Sequence, residues 1–250
     1  MKECSLITVV NNESLYYSFL DSLNTQINVD YEVIPVWNPD NKLFDSAREA
    51  LGSGTNKAEG RYLIFLHPDI RFLTSTTLYE ILEWVKKLGA FGVIGVAGCP
   101  DFLIEGDRVI YSSIVHGDKK KPVGKIVQTP ENVQTVDECF FIQTKEYFDQ
   151  VGFTQKKGWH LYAVEQCLRA EQDGATNYVV PAKLWHLSEG KSLDPSYVIQ
   201  LSVLCKEYAN KYDYINTTVK KWKTKGFLSE IYRAYYYCKQ IIKRKLVRST

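Results

Sequence analysis

Residues 61–69 read Arg-Tyr-Leu-Ile-Phe-Leu-His-Pro-Asp, and this stretch decides the fold that we expect for the chain. The apolar run from Arg61 to Leu66 predicts a strand, because bulky apolar and aromatic side chains are enriched in buried strands. His67, Pro68 and Asp69 follow at once, where that strand must end. The stretch therefore predicts a strand that delivers an imidazole and a carboxylate to its carboxyl end.

Two further strands are predicted upstream of this stretch. Leu6 to Val10 is followed by Asn11-Asn12-Glu13, and Tyr31 to Val36 is followed by Trp37-Asn38. Strands that alternate with amphipathic stretches are typical of βαβ units. Open α/β sheets bind ligands in the crevice at the carboxyl ends of their strands, so these three strand ends predict one ligand site.

Strands and helices continue to alternate up to about residue 100, and beyond it the hydrophobic pattern changes to one typical of antiparallel strands. A helix near Asp45 to Leu51 is expected to end at Gly52-Ser53-Gly54, and Gly92 to Gly98 predicts one glycine-rich buried strand. Beyond Pro100, alternation over Arg108 to Val115 and Val133 to Gln143 is typical of antiparallel strands. Later elements are predicted as a helix over Trp159 to Gln172, a short strand over Asn177 to Val180, and a helix opened by Asp194-Pro195.

Composition excludes several classes of protein. The 250 residues include 31 Lys or Arg and 29 Asp or Glu, with 45% hydrophobic residues, which indicates a globular protein and neither a disordered nor a collagenous one. The six cysteines are widely separated and lack zinc-site spacing, which favours reduced thiols in a cytoplasmic protein. We expect no secretory signal peptide, and no window approaches the ~18–20 apolar residues of a membrane span.

The near-neutral total charge hides a basic tail. Residues 219–250 hold ten Lys or Arg and one acid, Glu230, a charge of +9, whereas residues 1–218 carry 21 basic and 28 acidic residues, a charge of −7. Aromatic and apolar residues recur between these cations at helical spacing, which suits peripheral contact with an anionic membrane. The alternative is a helix that packs its apolar face on the rest of the chain. Nucleic-acid binding is not expected, because no recognition motif accompanies the charge.

Four segments, in this order, carry a resemblance to a known family: Val9 to Glu13, Asn56 to Asp69, Glu165 to Arg169 and Trp185 to Gly190. Together they resemble the family-2 glycosyltransferases of the GT-A fold, and most nearly a bacterial subgroup with a His-x-Asp element. The resemblance implies a GT-A, Rossmann-like α/β domain over residues 1–190, with a mixed sheet flanked by helices. A helical extension is then expected over 191–250, basic and aromatic from residue 219.

The same resemblance implies a function. It is the transfer of a sugar, of the hexosyltransferase type, from a nucleotide-diphosphate donor to a hydroxyl of a surface glycan or glycolipid, with inversion and with Mn or Mg as cofactor. A divalent cation suits this chemistry, because the departing nucleoside diphosphate develops negative charge. The resemblance implies a role in bacterial polysaccharide biosynthesis, in the cytoplasm or peripherally at the inner face of the membrane.

The resemblance implies a metal site at His67, Asp69 and His186. His67 and Asp69 occupy the acid-x-acid position of the family, and His186 matches a later ligand. Imidazole and carboxylate groups both bind such cations. The residues alone leave open that His67-Pro68-Asp69 is only a turn, and that His186 beside Trp185 is structural.

Glu165 is the predicted general base. An inverting transfer needs a group that takes the proton of the acceptor hydroxyl. The family places that group at the position of Ala163, which has no proton acceptor, and Glu165 is the local replacement. The alternatives for Glu165 are a group that orients the acceptor, or an ion pair with Arg169 at the favourable i,i+4 spacing.

Two sets of binding residues are predicted, partly from the resemblance and partly, for Asn56, Lys57, Trp159 and His160, from side-chain chemistry. The donor nucleotide sugar is expected to contact Thr8, Asn11, Glu13, Trp37, Asn38, Asn56, Lys57 and Asp69. The acceptor is expected to contact Asp137, Glu138, Trp159 and His160. The residues alone also allow a solvated Lys57, an exposed acidic pair at Asp137-Glu138 and a Trp159 that only packs in the core.

Two alternative functions remain open at this point. A degenerate member of the family would bind a nucleotide sugar or a partner without transfer, and Ala163 favours that alternative. A nucleotidyltransferase would also use a metal and phosphates, but it would need a glycine- and Arg/Lys-rich loop after the first strand, where this chain has Asn11-Asn12-Glu13.

Overall fold

A seven-stranded mixed sheet forms the centre of the computed structural model, which describes residues 2–188 and 193–248 and the side chains up to Arg244. The helices are α1 (Glu13–Leu23), α2 (Ala47–Thr55), α3 (Thr77–Leu88), α4 (Lys145–Val151), α5 (Tyr162–Gln172), α6 (Pro195–Tyr208) and α7 (Phe227–Arg248), with a 3-10 turn at Pro39–Asn41. The strands are β1 (Cys4–Val10), β2 (Tyr31–Trp37), β3 (Tyr62–Leu66), β4 (Ile70–Phe72), β5 (Ile94–Gly95), β6 (Ala97–Cys99), β7 (Leu103–Ile104), β8 (Asp107–Arg108), β9 (Tyr111–Ser112), β10 (Ile114–His116), β11 (Lys121–Pro122), β12 (Lys125–Ile126), β13 (Glu131–Val133), β14 (Thr135–Val136), β15 (Phe140–Thr144), β16 (Asn177–Val179), β17 (Leu184–His186), β18 (Tyr214–Asn216) and β19 (Lys221–Lys223).

The predicted βαβ units form the middle of this sheet. Its strand order is β13-β16-β5-β15-β3-β1-β2, and β1 pairs in parallel with both β2 and β3. Alternate side chains of β3 enter two cores, Ile64 on the face covered by α1 and α3 and Phe65 on the face covered by α2 and α5. Because helices cover both faces, β3 is buried along its whole length, and the predicted α/β fold with a mixed sheet flanked by helices is confirmed.

A smaller sheet carries the later histidines to the end of β3. Its order is β11-β10-β17-β4, and β17 pairs antiparallel with β4, which begins one residue after Asp69. β10 then pairs in parallel with β17, so that His116 lies beside His186. This sheet therefore positions residues from three distant parts of the chain at one edge of the central sheet.

The glycine-rich predictions need correction. α2 does not end at Gly52-Ser53-Gly54 but continues to Thr55. A Cβ at Gly54 would lie 2.7 Å from Ile7 Cγ2, so this glycine allows α2 to approach β1 closely and does not break the helix. The single strand expected over Gly92 to Gly98 is two strands in different sheets, because the chain leaves the central sheet after β5 and joins β9 and β14 as β6.

The antiparallel region is also more fragmented than predicted. Residues 107–116 form three short strands, β8, β9 and β10, and two of them have parallel partners, β12 with β9 and β17 with β10. The helix expected from Trp159 begins at Tyr162, because Leu161 adopts a left-handed conformation with φ 61° that cannot extend an α-helix.

The C-terminal extension contains two helices and a hairpin. α6, β18, β19 and α7 follow the segment 189–192, so the extension predicted as helical also contains the β18–β19 hairpin between its two helices. The extension packs on α5, with Leu201, Ile215 and Trp222 in one apolar cluster with Leu168. The predicted domain boundary at residue 190 lies outside the described residues. No helix in the described part of the chain is long and apolar enough to cross a membrane.

Candidate active site

Two histidines and a carboxylate meet at the carboxyl end of β3. His67 follows β3 directly, Asp69 precedes β4, and His186 ends β17. One ligand atom from each lies within 4.8 Å of the other two. His186 Nε2 is 3.2 Å from Asp69 Oδ2, and His67 Nδ1 is 4.0 Å from Asp69 Oδ1. The structure thus brings together the three residues predicted as metal ligands, whereas Glu189 and Gly190 of the last resembling segment lie outside the described residues.

The charges of this cluster suit a cation. Burial acts to raise the pKa of Asp69, but its hydrogen bond with His186 and the nearby charge of that ring hold the pKa well below its usual range. Burial lowers the pKa of His67, which keeps that ring neutral at physiological pH. Burial also acts to lower the pKa of His186, yet the bond to Asp69 raises it overall. Asp69 Oδ1 is buried without a hydrogen-bond partner among the described residues, so it can accept a ligand.

His116 is a fourth member of the cluster that the sequence analysis missed. Its Nδ1 lies 3.3 Å from Nδ1 of His186, and the Ser188 hydroxyl lies 3.0 Å from Nε2 of the same ring. One of the two facing Nδ1 atoms must carry the hydrogen, so His116 influences which nitrogen of His186 is available. The strand predicted over Arg108 to Val115 stopped one residue short of His116, and its pairing with β17 is a long-range contact.

A cavity of about 230 Å³ opens beside this cluster, and we call it the donor cavity after the predicted donor-binding residues Asn11 and Asp69 in its wall. Its wall includes Asn11, Asn41, His67, Asp69, Trp159 and Tyr162. Tyr162 Oη lies 3.1 Å from His67 Nε2, which holds the ring in place. The carboxyl ends of β1 and β3 therefore meet at one site, as the sequence predicted, and Trp159 lies here although it was expected to contact the acceptor.

Four other residues predicted around the nucleotide lie outside the described wall of the donor cavity: Thr8, Glu13, Trp37 and Asn38. Thr8 and Asn38 are fully buried, and the Thr8 hydroxyl and the Asn38 amide nitrogen have no hydrogen-bond partner among the described residues. The Asn38 carbonyl oxygen accepts hydrogen bonds from the backbone of Leu43 and Phe44, so it shapes the loop after β2. Trp37 is exposed and packs edge-on against Tyr16, and the Glu13 carboxylate accepts a hydrogen bond from the Tyr17 hydroxyl.

Asn56 and Lys57 lie away from the cluster. α2 begins at Ala47, which lines the donor cavity, and Asn56 follows its last residue, about 13–14 Å further along the helix axis. The chain then returns to the start of β1, where the Gly60 amide donates a hydrogen bond to the Ser5 hydroxyl. Both residues are therefore near the amino ends of the strands, which does not fit the diphosphate contact predicted for them.

A second cavity, of about 110 Å³, also has His67 in its wall, and we call it the acceptor cavity after the predicted acceptor-binding residues that line it. Its wall includes Asp137, Glu138, His160 and His186, together with Tyr197 and Thr218 of the C-terminal extension. The Asp137 carboxylate accepts hydrogen bonds from the Thr218 hydroxyl at 2.5 Å and from the Cys139 amide at 3.0 Å. Three of the four residues predicted to contact the acceptor thus share one cavity, and the extension supplies part of its wall.

Glu138 has a carboxyl group suited to proton transfer. One of its oxygens accepts a hydrogen bond from the backbone N–H of Tyr162, the first residue of α5, at 2.9 Å. Burial and the neighbouring charge of Asp137 raise the pKa of Glu138 to about 8. The helix that should carry the family's base at Ala163 therefore has the Glu138 carboxyl at its amino end instead.

Glu165 lies in a buried ion-pair network. Its carboxylate accepts from Arg48 Nε at 2.7 Å, from Lys156 Nζ at 2.5 Å and from the Thr154 hydroxyl at 3.0 Å. The side chains of Arg48 and Glu165 are each 2% exposed. The alternative of an ion pair with Arg169 is not realised, because Arg169 donates instead to the carbonyl groups of Val151 and Gly152. Nothing in the sequence predicted a role for Arg48, because its partner Glu165 lies on a helix that is distant along the chain.

The family comparison bears directly on this arrangement. A sequence model described as "Glycosyltransferase like family" matches residues 5–208. The chain belongs to this glycosyltransferase-like family. The match covers nearly all of the central sheet, the histidine cluster and the donor cavity, and it ends before Thr218 of the acceptor cavity. The nucleotidyltransferase alternative has no support from it.

One curated protein is similar in sequence to about half of this chain. A curated protein of Fuscovulum blasticum, "ATP synthase subunits region ORF 6", is 26% identical over 137 residues, which are 52% of this chain and 53% of that protein. The chain thus matches about half the length of this curated relative.

Two solved structures show the fold. S. aureus TarS residues 1–349 with UDP-GlcNAc has a TM-score of 0.58 at 14% identity, covering 84% of this chain and 67% of that one. The mannosyltransferase PcManGT of Pyrobaculum calidifontis with GDP-Man and Mn²⁺ has a TM-score of 0.57 at 11% identity, covering 84% and 64%. These similarities confirm the GT-A fold predicted from the sequence.

Proposed function

We propose that this enzyme transfers a sugar from a nucleotide-diphosphate donor to a hydroxyl of a glycan or a lipid-linked acceptor, with inversion at the anomeric carbon. The observation that carries the proposal is the position of His67, which lines both the donor cavity and the acceptor cavity beside Asp69 and His186. A diphosphate at this cluster would place the sugar between the two cavities. The nucleotide sugars bound to TarS and to PcManGT support a donor of this class.

The histidine cluster fits a divalent cation such as Mn²⁺ or Mg²⁺. Two imidazoles and one carboxylate are acceptable ligands, and Asp69 Oδ1, which has no hydrogen-bond partner in the described part of the chain, can bind the cation. A bound cation would offset the negative charge that develops on the departing diphosphate. The lowered pKa of His67 keeps its ring in the neutral form that binds a metal, and Tyr162 holds that ring in position.

We assign the general base to Glu138. The group that removes the acceptor proton must lie on the acceptor side of the sugar, and Glu138 lines the acceptor cavity. It also lies at the amino end of α5, where the family places its base, and so compensates for Ala163. The Glu165 carboxylate forms ion pairs with Arg48 and Lys156. In this proposal it therefore positions α2 against α5 and does not take the proton.

The proposed setting is the assembly of a bacterial surface polysaccharide or glycolipid at the cytoplasmic face of the membrane. Ala163 favours one alternative, a protein that binds the donor without transferring its sugar. The two are separated by turnover, because only a transferase releases the nucleoside diphosphate from a donor that it binds.

Binding of the donor nucleotide should raise the melting temperature of the protein. We expect UDP or GDP, added with Mn²⁺ at about 100 times its dissociation constant, to stabilise the fold by about 2.7 kcal/mol, which is a rise of about 5–10 °C. Asp69→Ala should abolish the rise, since it removes the carboxylate of the cation site. The measurement is a thermal-shift screen of nucleoside diphosphates with and without Mn²⁺, each variant being compared with its own melting temperature without ligand.

Asp40→Ala is the matched control for this screen, because the Asp40 carboxylate is 76% exposed and pairs only with the exposed Lys42 among the described residues. It should leave the rise unchanged. The assignment of the donor site is refuted if no nucleoside diphosphate gives a Mn-dependent rise, or if Asp69→Ala keeps the full rise.

A further inference from the structure

Several large apolar side chains of α7 point into solvent. Leu228 is 80% exposed and Tyr235 is 62% exposed, and Ile231 and Ile242 are about half exposed. These residues recur at intervals of three, four and seven, so they form one stripe along the helix. We call Leu228, Ile231, Tyr235 and Ile242 the apolar stripe. Phe227, 76% exposed, lies at its amino end.

The opposite side of α7 contacts the rest of the enzyme with both aromatic and polar residues, and Tyr236 and Tyr237 pack against the cluster that contains Trp222. Ser229, Arg233 and Gln240 are buried, and Arg233 donates a hydrogen bond to the carbonyl of Lys223 at 2.7 Å. At 100° per residue, this buried side lies about 150° around the helix from the apolar stripe. The sequence had left open a helix that packs its apolar face inward, and in the structure Tyr236 and Tyr237 pack inward whereas the apolar stripe faces solvent.

The apolar surface continues onto α6. Ile199 and Val203 are about half exposed, and a groove of about 520 Å³ between α6 and α7 is lined by these two residues together with Ala234 and Tyr237. The exposed apolar side chains therefore lie on two adjacent helices and not on a single fraying terminus. Contiguous apolar patches of this kind on a protein surface mark binding surfaces.

The positive charge around the apolar stripe favours an anionic partner. Lys239 and Lys243 are exposed at its edge, and residues 219–250 carry a net charge of +9. A dimer through this stripe would place two segments that each carry a net charge of +9 side by side, and their electrostatic repulsion would oppose the association. An anionic lipid surface offers both an apolar layer for the stripe and negative headgroups for the lysines.

We propose that α7 docks this enzyme on an anionic lipid bilayer, with the apolar stripe at the level of the headgroups and acyl chains. The acceptor cavity is connected to the same helix, because Arg244 Nη1 lies 3.8 Å from Asp194 Oδ2 and Asp194 Oδ1 lies 3.4 Å from His160 Nε2. The cavity is therefore held beside the docked helix. This inference rests on the proposed function. If the cavity takes the acceptor, its position beside the docked helix indicates an acceptor that is itself anchored in the bilayer.

The experiment is co-sedimentation of the full chain with vesicles. We expect binding to vesicles that contain phosphatidylglycerol and not to pure phosphatidylcholine, with a steep loss at high salt. Leu228→Ser with Tyr235→Ser should weaken binding at least tenfold, and Lys239→Gln with Lys243→Gln should weaken it at least tenfold and flatten its salt dependence. These side chains are exposed, so the variants should keep the melting temperature of the original protein.

Leu43→Ser is the matched control, since Leu43 is 65% exposed in the loop after β2 and distant in sequence from α7; it should bind vesicles as the original protein does. Failure of the chain to bind phosphatidylglycerol vesicles, or equal binding by the stripe variants, overturns the docking surface. A dimer that forms in solution and is broken by the stripe variants would assign the stripe to a second copy and also overturn it. The Mn-dependent thermal shift with UDP or GDP is measured on the same samples, so a failure of lipid docking is distinguishable from a failure of the proposed function.

Discussion

Replacing Glu138 by Gln should lower the rate of sugar transfer by about 10²–10⁴-fold, the usual contribution of a positioned general base. Gln has nearly the same shape and its carbonyl oxygen can still accept the hydrogen bond from the Tyr162 amide, so the start of α5 should be retained. It cannot take a proton. Donor binding should be unchanged, because Glu138 lines the acceptor cavity and is outside the described wall of the donor cavity.

This expectation can be measured before the acceptor is identified. Water can replace the acceptor hydroxyl, and turnover is then the release of nucleoside diphosphate from the donor found in the binding screen. The rate for the original protein should rise with pH and level off above about 8, because the pKa of Glu138 is raised to about 8 and only the unprotonated carboxylate acts as a base. Glu146→Gln, an exposed residue of α4, is the control and should keep the original rate. A Glu138→Gln variant with an undiminished rate would move the base elsewhere.

Breaking the buried pair between Arg48 and Glu165 should destabilise the fold by about 3–5 kcal/mol, because the remaining partner keeps an uncompensated charge in the interior. Glu165→Gln leaves Arg48 in this position, with both side chains almost fully buried. The measurement is urea unfolding of the variant and of the original protein. The exposed pair of Lys42 and Asp40 gives the contrast, since Asp40→Asn should change the stability by less than about 1 kcal/mol.

The same pair predicts a loss of stability in acid. Burial acts to raise the pKa of Glu165, but the charges of Arg48 and Lys156 lower it below the ordinary value of 4.5. Since the folded-state pKa is depressed, the contribution is complete above pH 4.5 and is lost as the pH falls through the folded-state value. Glu165→Gln should flatten this part of the pH profile. A variant that keeps its stability but loses turnover would restore Glu165 as the base.

The sequence predicted those parts of the site that depend on local pattern. Each of β1, β2 and β3 is a short apolar run, and such runs joined by amphipathic helices pair in parallel, so the meeting of Asn11 with His67 and Asp69 followed from the chain alone. The approach of His186 to Asp69 came from the family resemblance, because nothing in the residues themselves fixes the pairing of β17 with β4.

The features that the sequence did not predict depend on contacts between distant residues. His116 reaches the cluster through the pairing of β10 with β17, and Arg48 of α2 forms its ion pair with Glu165 of α5. The position of Glu138 at the amino end of α5 depends on a bend at Leu161 that no local propensity requires. The orientation of α7 was likewise open, because an amphipathic pattern shows that two faces differ but not which one is buried.

The central claim is that His67, Asp69 and His186 bind the cation that holds the donor diphosphate. Pulsed electron paramagnetic resonance of Mn²⁺ in the presence of UDP or GDP tests it most directly, because coordinated imidazole couples the metal electrons to ring nitrogen. The account predicts bound Mn²⁺ with nitrogen coupling that weakens in His67→Gln and in His186→Gln and is lost in the double variant. Bound Mn²⁺ without nitrogen coupling, or no bound Mn²⁺ with either nucleotide, would contradict it.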